Sequence, residues 1–244
     1  MTTNGQKDNE GVGPRIKRAI EGRKDTGAIR PAFHVHRTLM MNPVRRRIFA
    51  ELCRRPCIPI NDLATAIGTS RTNAKWHIER MVSANLLSKR KVGRHWVIFP
   101  SNMLEDEDIP IMALMSRSVV SRIFRYVQRE PDLSQGELSR ALGIPRQLLA
   151  WHLGNLLKVG LVETLQDGRF RRYRATSLFD DRAKRHVRKA KAFRSELMKN
   201  LRKDGTRPTV VKSMVRAILI RLGSGKGSSV LEVVTDPFRA VLEG

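Results

Sequence analysis

Residues 70–100 read SRTNAKWHIERMVSANLLSKRKVGRHWVIFP, and residues 145–175 read PRQLLAWHLGNLLKVGLVETLQDGRFRRYRA. Each run sets a Trp-His pair, Trp76-His77 or Trp151-His152, inside a helix-like segment and then passes into two strand-like stretches. A shift of 75 residues aligns Leu39 to Phe99 with Leu114 to Arg174 without a gap. The identities include Leu39/Leu114, Val44/Val119, Ile48/Ile123, Phe49/Phe124, Pro56/Pro131, Leu63/Leu138, Gly68/Gly143, Trp76/Trp151, His77/His152, Leu86/Leu161 and Gly93/Gly168. A duplicated unit of about sixty residues can close its own small core, so two independent modules are expected.

The punctuation repeats with the identities. A first helix carries Val44, Ile48, Phe49 and Leu52, or Val119, Ile123, Phe124 and Val127, at helical spacing, and stops before Pro56 or Pro131. A second helix is expected to begin at the N-caps Asn61-Asp62 or Ser134 and to end at Gly68 or Gly143. A turn of a few residues leads to a third helix, capped by Ser70 in one copy and opened by Pro145 in the other. Two strand-like runs follow in each copy, joined at VGR or DGR; Asp167-Gly168 is the stronger hairpin signal. Helix, helix, tight turn, helix and basic hairpin is the plan of a winged helix-turn-helix, whose third helix enters the major groove.

At 100° per residue, Ala74, Ile78 and Met81 line one side of the third helix, as do Leu149, Leu153 and Leu156. Trp76 then projects away from that seam together with Thr72, Glu79, Arg80 and Ser83, and Trp151 together with Gln147, Gly154, Asn155 and Lys158. Each indole either lies on a ligand or is covered by the wing or the other module. His77 and His152 flank the seam, where a positioning role outweighs proton sensing.

The charge balance points the same way. The 244 residues hold 47 Lys and Arg against 23 Asp and Glu, a formal charge of +24. Such an excess calls for a polyanion, nucleic acid first. No run is apolar enough to span a bilayer and no signal peptide opens the chain, so a soluble cytoplasmic protein with no membrane contact is expected. The two cysteines, Cys53 and Cys57, are expected to be reduced thiols, with metal sensing aided by His34 and His36 as the lesser alternative. No catalytic constellation stands out, so neither an enzyme nor a cofactor is expected.

The two quoted runs resemble the recognition helix and wing of ArsR- and MarR-like regulators, especially tandem winged-helix proteins of archaeal type; the resemblance covers Thr38 to Ser177. It implies a mainly α fold with small β-hairpin wings (α+β) and a sequence-specific regulator of transcription bound to double-stranded DNA. The base- and backbone-contacting candidates are Ser70, Arg71, Thr72, Asn73, Lys75, Trp76 and Arg80 on the first recognition helix, and Arg146, Gln147, Trp151, Asn155 and Lys158 on the second. On the wings they are Lys89, Arg90, Lys91, Arg94, Arg169, Arg171 and Arg172, placed for phosphates. Copy one is expected to carry more base readout, because Ala150 stands where Lys75 does. An architectural nucleoid protein and a tandem winged-helix scaffold that binds protein are the rivals.

Around the repeat, residues 1–30 read as a disordered basic arm, 31–103 and 104–178 as the two winged-helix domains, and 179–244 as a basic helix followed by a small helix/strand region. Leu104 to Asp108 (LEDED) reads as a solvated linker. Residues 181–203 form a basic helix with Val187, Ala190, Leu197 and Leu201 at near-helical spacing, a candidate seam for a homodimer or a further backbone contact. A helix is expected over Val210 to Leu222, a strand over Val230 to Val234 and a short helix from Pro237. GSGKGSS, Gly223 to Ser229, lacks the spacing of a phosphate-binding loop and reads as a turn.

Overall fold

A computed structural model describes residues 38–243. The expected N-terminal arm, the start of the first domain at residue 31, and His34 and His36 lie outside the described residues. After a single 3-10 turn at Leu39–Met41, the first copy runs α1 (Pro43–Arg54), α2 (Ile60–Ala66), α3 (Arg71–Ser83), β1 (Leu87–Val92) and β2 (His95–Pro100). The second runs α4 (Asp108–Met115), α5 (Ser118–Arg129), β3 (Leu133–Ser134), α6 (Gln135–Leu142), α7 (Arg146–Lys158), β4 (Val162–Asp167) and β5 (Phe170–Ala175). A long helix α8 (Leu178–Lys203), three strands β6 (Pro208–Ser213), β7 (Ala217–Leu222) and β8 (Ser229–Val234), and α9 (Pro237–Glu243) complete the chain.

The repeat extends to the backbone. α1 and α5, α3 and α7, β1 and β4, and β2 and β5 begin and end at residues related by the same shift. So do the left-handed positions: Cys57 (φ 66°) and Asp132 (φ 64°), Asn85 (56°) and Gly160 (74°), and Gly93 (57°) and Gly168 (55°). The last pair opens each two-residue wing turn, where a positive φ favours glycine. Both junctions form, Val92 facing His95 and Asp167 facing Phe170, although the first lacks the Asp-Gly signal. Cys57 and Asp132 donate their backbone N–H to the carbonyls of Ile98 and Tyr173, at 2.9 and 3.0 Å, which ties the loop after the first helix to the wing in each copy.

The caps follow the sequence in part. Ser134 and Glu137 form a complete capping box on α6. α2, by contrast, starts one residue before Asn61, with Pro59 at the cap position and no side-chain cap, so Asn61-Asp62 is not its cap. Seam residues Ala74, Ile78 and Met81, with Leu149, Leu153 and Leu156, are all buried.

The modules are not independent. One core gathers α5 and α7 side chains with Val97 and Phe99 of the first wing, Phe179 and Ala183 of α8, and Phe238 and Val241 of α9. The other gathers α1 and α3 side chains with Phe193, Leu197 and Leu201 of α8 and with Ile218, Ile220, Leu222, Leu231 and Val233 of the C-terminal sheet. α8 therefore lays its first half on copy two and its second half on copy one, and β8 packs on α1. Each large side chain buried in this way contributes about 1.5–3 kcal/mol.

The structure departs from the expected course in further places. Residues 210–222 form antiparallel strands in a sheet of order β6-β7-β8, with a register irregularity between Val210 and Lys212, and not a helix. The apolar residues of 181–203 divide: Leu197 and Leu201 are spent on the chain's own core, and Val187 stands 55% exposed on another face. The acidic stretch 105–108 is not a freely solvated linker, because Glu107 and Asp108 meet Arg182 at 2.8 and 3.5 Å, Glu105 pairs with Lys189, and Asp106 faces Arg90 at 3.9 Å. Asp108 is buried, and burial raises its carboxyl above the usual range against the pull of Arg182.

Candidate nucleic-acid interface

The outer face of α3 is set by its first turn. Ser70 Oγ accepts from the backbone N–H of Asn73 at 3.2 Å, and Asn73 Nδ2 donates to Thr69 Oγ1 at 2.7 Å, which fixes the start of the helix. Ser70, Arg71, Thr72, Asn73, Lys75, Trp76 and Arg80 are all exposed. Trp76 is 51% exposed and Trp151 53%, so neither indole is buried by a wing or by the other module. On α7, Arg146, Gln147, Trp151 and Lys158 are exposed and Asn155 half-buried.

The wing cations divide into two groups. Among the described residues, Lys91, Arg94, Arg169 and Arg171 have no carboxylate within ion-pair distance, and the same is true of Arg71, Lys75, Arg146 and Lys158 on the helices. Arg172 differs. It meets Asp167 at 2.7 Å and Glu137 at 3.4 Å and donates to the Asp132 carbonyl at 3.1 Å, so it ties the second wing to α6 and is not a ready phosphate contact. Lys89 is likewise engaged, by Glu79 at 2.8 Å and over the Trp96 ring at 5.2 Å.

The histidines show how the copies diverge. His77 and His152 are buried beside their tryptophans, ring centroids 4.9 Å apart in each pair. Burial first, and then Arg45 for His77 or Arg117 for His152, holds both imidazoles below their ordinary pKa, so both are neutral at pH 7. His77 Nδ1 accepts from Arg45 Nε at 3.2 Å, whereas His152 Nδ1 is buried without a partner among the described residues. The repeat places Val120 where Arg45 stands.

Sequence reasoning passed over Arg45, which is buried, and over Trp96, 61% exposed on the first wing. It also missed the apolar character of the second presenting surface. Leu148, Leu165 and Phe170 are exposed where copy one has Asn73, Arg90 and His95. Each of these follows from laying one copy on the other.

The thiols lie in the core. Cys53 and Cys57 are buried, and burial pushes the Cys57 thiol up to about 12 and Cys53 well above its usual value. Among the described residues no group of His, Cys, Asp and Glu could hold a metal ion, and no helix is long and apolar enough to cross a membrane.

Comparison with known proteins falls on the same two stretches. A family model described as a helix-turn-helix domain matches residues 40–90, and one described as winged helix-turn-helix DNA-binding matches residues 120–163. An HTH-type transcriptional regulator of Methanocaldococcus jannaschii is 22% identical over 130 residues, 53% of this chain and 32% of that protein, so the chain spans about a third of that relative's length. An ArsR-like transcriptional regulator from Rhodococcus sp. RHA1 superposes with TM-score 0.35 at 27% identity, over 41% of this chain and 90% of that one. ScpB from Mycobacterium tuberculosis superposes with TM-score 0.23 at 15% identity, over 58% of this chain and 95% of that one. With a helix-turn-helix family model on each copy and a wing behind each third helix, the chain carries two winged helix-turn-helix modules in tandem.

Proposed function

We propose that the protein binds specific sequences in double-stranded DNA and regulates transcription, with α3 and α7 in successive major grooves and the two wings on the flanking phosphates. The observation that carries this reading is the recurrence, at related positions, of an exposed third-helix face and an exposed hairpin, with Lys91 and Arg94 on one and Arg169 and Arg171 on the other outside ion-pair distance of any carboxylate among the described residues. A lone basic surface is ordinarily a solvated face. Two of them, each set beside a groove-sized helix, match the contacts that position a duplex-binding protein.

The copies divide the work. Arg71, Thr72, Asn73 and Lys75 offer polar reach to base edges, whereas α7 offers Arg146 and Gln147 and then Leu148 and Ala150. Copy one thus reads sequence, and copy two adds register and affinity. α8 carries Lys184, Arg188, Lys191, Lys199 and Arg202 on the side opposite its buried stripe, all exposed. They span about 27 Å at 1.5 Å per residue, a further backbone contact without sequence choice. The apolar substitutions of copy two, together with that stripe, are what favours the architectural reading as the alternative.

The test is a competition between a selected site and random duplex. Lys75→Ala with Arg71→Ala should cut the preference about tenfold or more, since one good base contact is worth about 1–3 kcal/mol, while Arg146→Ala weakens both duplexes alike. The reverse pattern would overturn the assignment of readout to copy one.

A further inference from the structure

Arg45 lies on α1, outside both the recognition helix and the wing, yet its side chain reaches the centre of the reading face. Its Nε donates to His77 Nδ1 at 3.2 Å, and its Nη1 donates to the Leu39 carbonyl at 3.3 Å. Its guanidinium carbon sits 5.5 Å from the centroid of the Trp76 ring, and the Arg80 guanidinium carbon sits 5.1 Å from the same centroid. The indole is therefore gripped by two cations and by the edge of His77. The hydrogen bond requires Nδ1 of His77 to be an acceptor, so the imidazole is neutral and carries its proton on Nε2.

Arg45 is anchored in turn from the far end of the chain. Asp204, at the close of α8, accepts from the backbone N–H groups of Leu39 and Met40 at 3.1 and 3.3 Å, which fixes the turn whose Leu39 carbonyl holds Arg45. Copy two has the same Trp-His pair without this apparatus. Val120 replaces Arg45, Asn155 replaces Arg80, and His152 Nδ1 has no partner among the described residues.

We infer that Arg45 is a positioning residue for DNA selectivity: by bonding His77 and stacking on Trp76 it fixes the indole across the outer face of α3, and this makes copy one the selective reader. The inference rests on the proposed binding of duplex DNA by α3. An exposed indole that is already immobilised loses less freedom when it meets a base or sugar, so a contact of the same area becomes more selective. Arg45 need not touch DNA for this; its effect passes through Trp76.

The experiment uses the full chain with Trp96→Phe and Trp151→Phe, which leaves Trp76 as the only tryptophan. Arg45→Met and Arg45→Lys are compared with the parent by Trp76 fluorescence anisotropy in the free protein, and by the ratio of affinities for a selected and a random duplex. The expected result is a fall in anisotropy for both variants and a three- to tenfold loss of the affinity ratio, with random-duplex affinity held for Arg45→Lys. In a Trp76→Leu background, Arg45→Lys should change the ratio no further. An unchanged anisotropy, or an equal loss of ratio without Trp76, overturns the inference. A parent with no preference for any duplex sinks the DNA reading instead, while the anisotropy still reports on Arg45. If Arg45→Met unfolds the chain, the folded Arg45→Lys variant decides.

Discussion

Replacing Leu197 with Ala tests whether α8 is a clamp inside one chain or a surface for a second. Leu197 is 3% exposed and packs with Phe193, Leu201 and the sheet residues Ile218 and Ile220 beneath copy one. Removing three buried carbons forfeits about 2 kcal/mol of transfer free energy and leaves a cavity that a core held by helix, sheet and recognition module cannot easily collapse, for a total of about 3 kcal/mol. With an m-value of about 3 kcal/mol per molar urea for a chain of this size, the unfolding midpoint should drop by about 1 M. Val187→Ala, on the exposed side of the same helix, should shift it by less than about 0.2 M. Urea titrations at two protein concentrations a hundredfold apart make the distinction, because a dimer seam would tie the midpoint to concentration. The reasoning is refuted if Val187→Ala costs as much as Leu197→Ala, or if the Leu197→Ala effect appears only as a change in that concentration dependence.

Two further outcomes follow from the charges. Arg188→Ala with Lys191→Ala should lower the slope of log affinity against log salt by about 1.8 for random duplex, at about 0.9 for each phosphate no longer neutralised, with no change in site preference; an unaltered slope would mean that the α8 stripe is only solvated. His77, His152 and His186 are held below their ordinary pKa, first of all by burial, so below about pH 6.5 the unfolded chain takes up protons that the folded chain refuses. Stability from this source is complete above that value and falls as pH drops toward the folded pKa values. Thermal melts between pH 7.5 and 5.5 should therefore show a falling midpoint, and His152→Gln should make the fall shallower; an identical slope in the variant would refute the role given to His152.

The winged modules were legible because the chain states them twice. A gapless shift puts the same residues at helix ends, seams and wing turns, and the structure repeats even the left-handed positions. What the sequence hid was nonlocal. Residues 210–222 carry β-branched Val210, Val211, Val215, Ile218 and Ile220, but the turn Met214-Val215-Arg216 has no Gly, Pro or Asn to mark a hairpin, so the apolar run passes for a helix. Glu105, Glu107 and Asp108 find their partners on α8, 74 to 84 residues away, and no local pattern reports such pairs. The apolar stripe of α8 was visible, but what covers it was not. Arg45 was the exception, since a cation at a place where the second copy has a buried valine is a signal that the repeat itself supplies.

The claim on which the rest depends is that two winged helices of unequal reading power select a DNA sequence. Sites bound by the full chain are best recovered from random duplex DNA at two salt concentrations. The account predicts one strongly defined half-site, contacted by α3, beside a weakly defined one about one helical turn away, with the same motif at both salts and weaker binding at the higher. Recovery of no motif, with steep loss of binding as salt rises, would contradict it and leave a sequence-independent architectural protein.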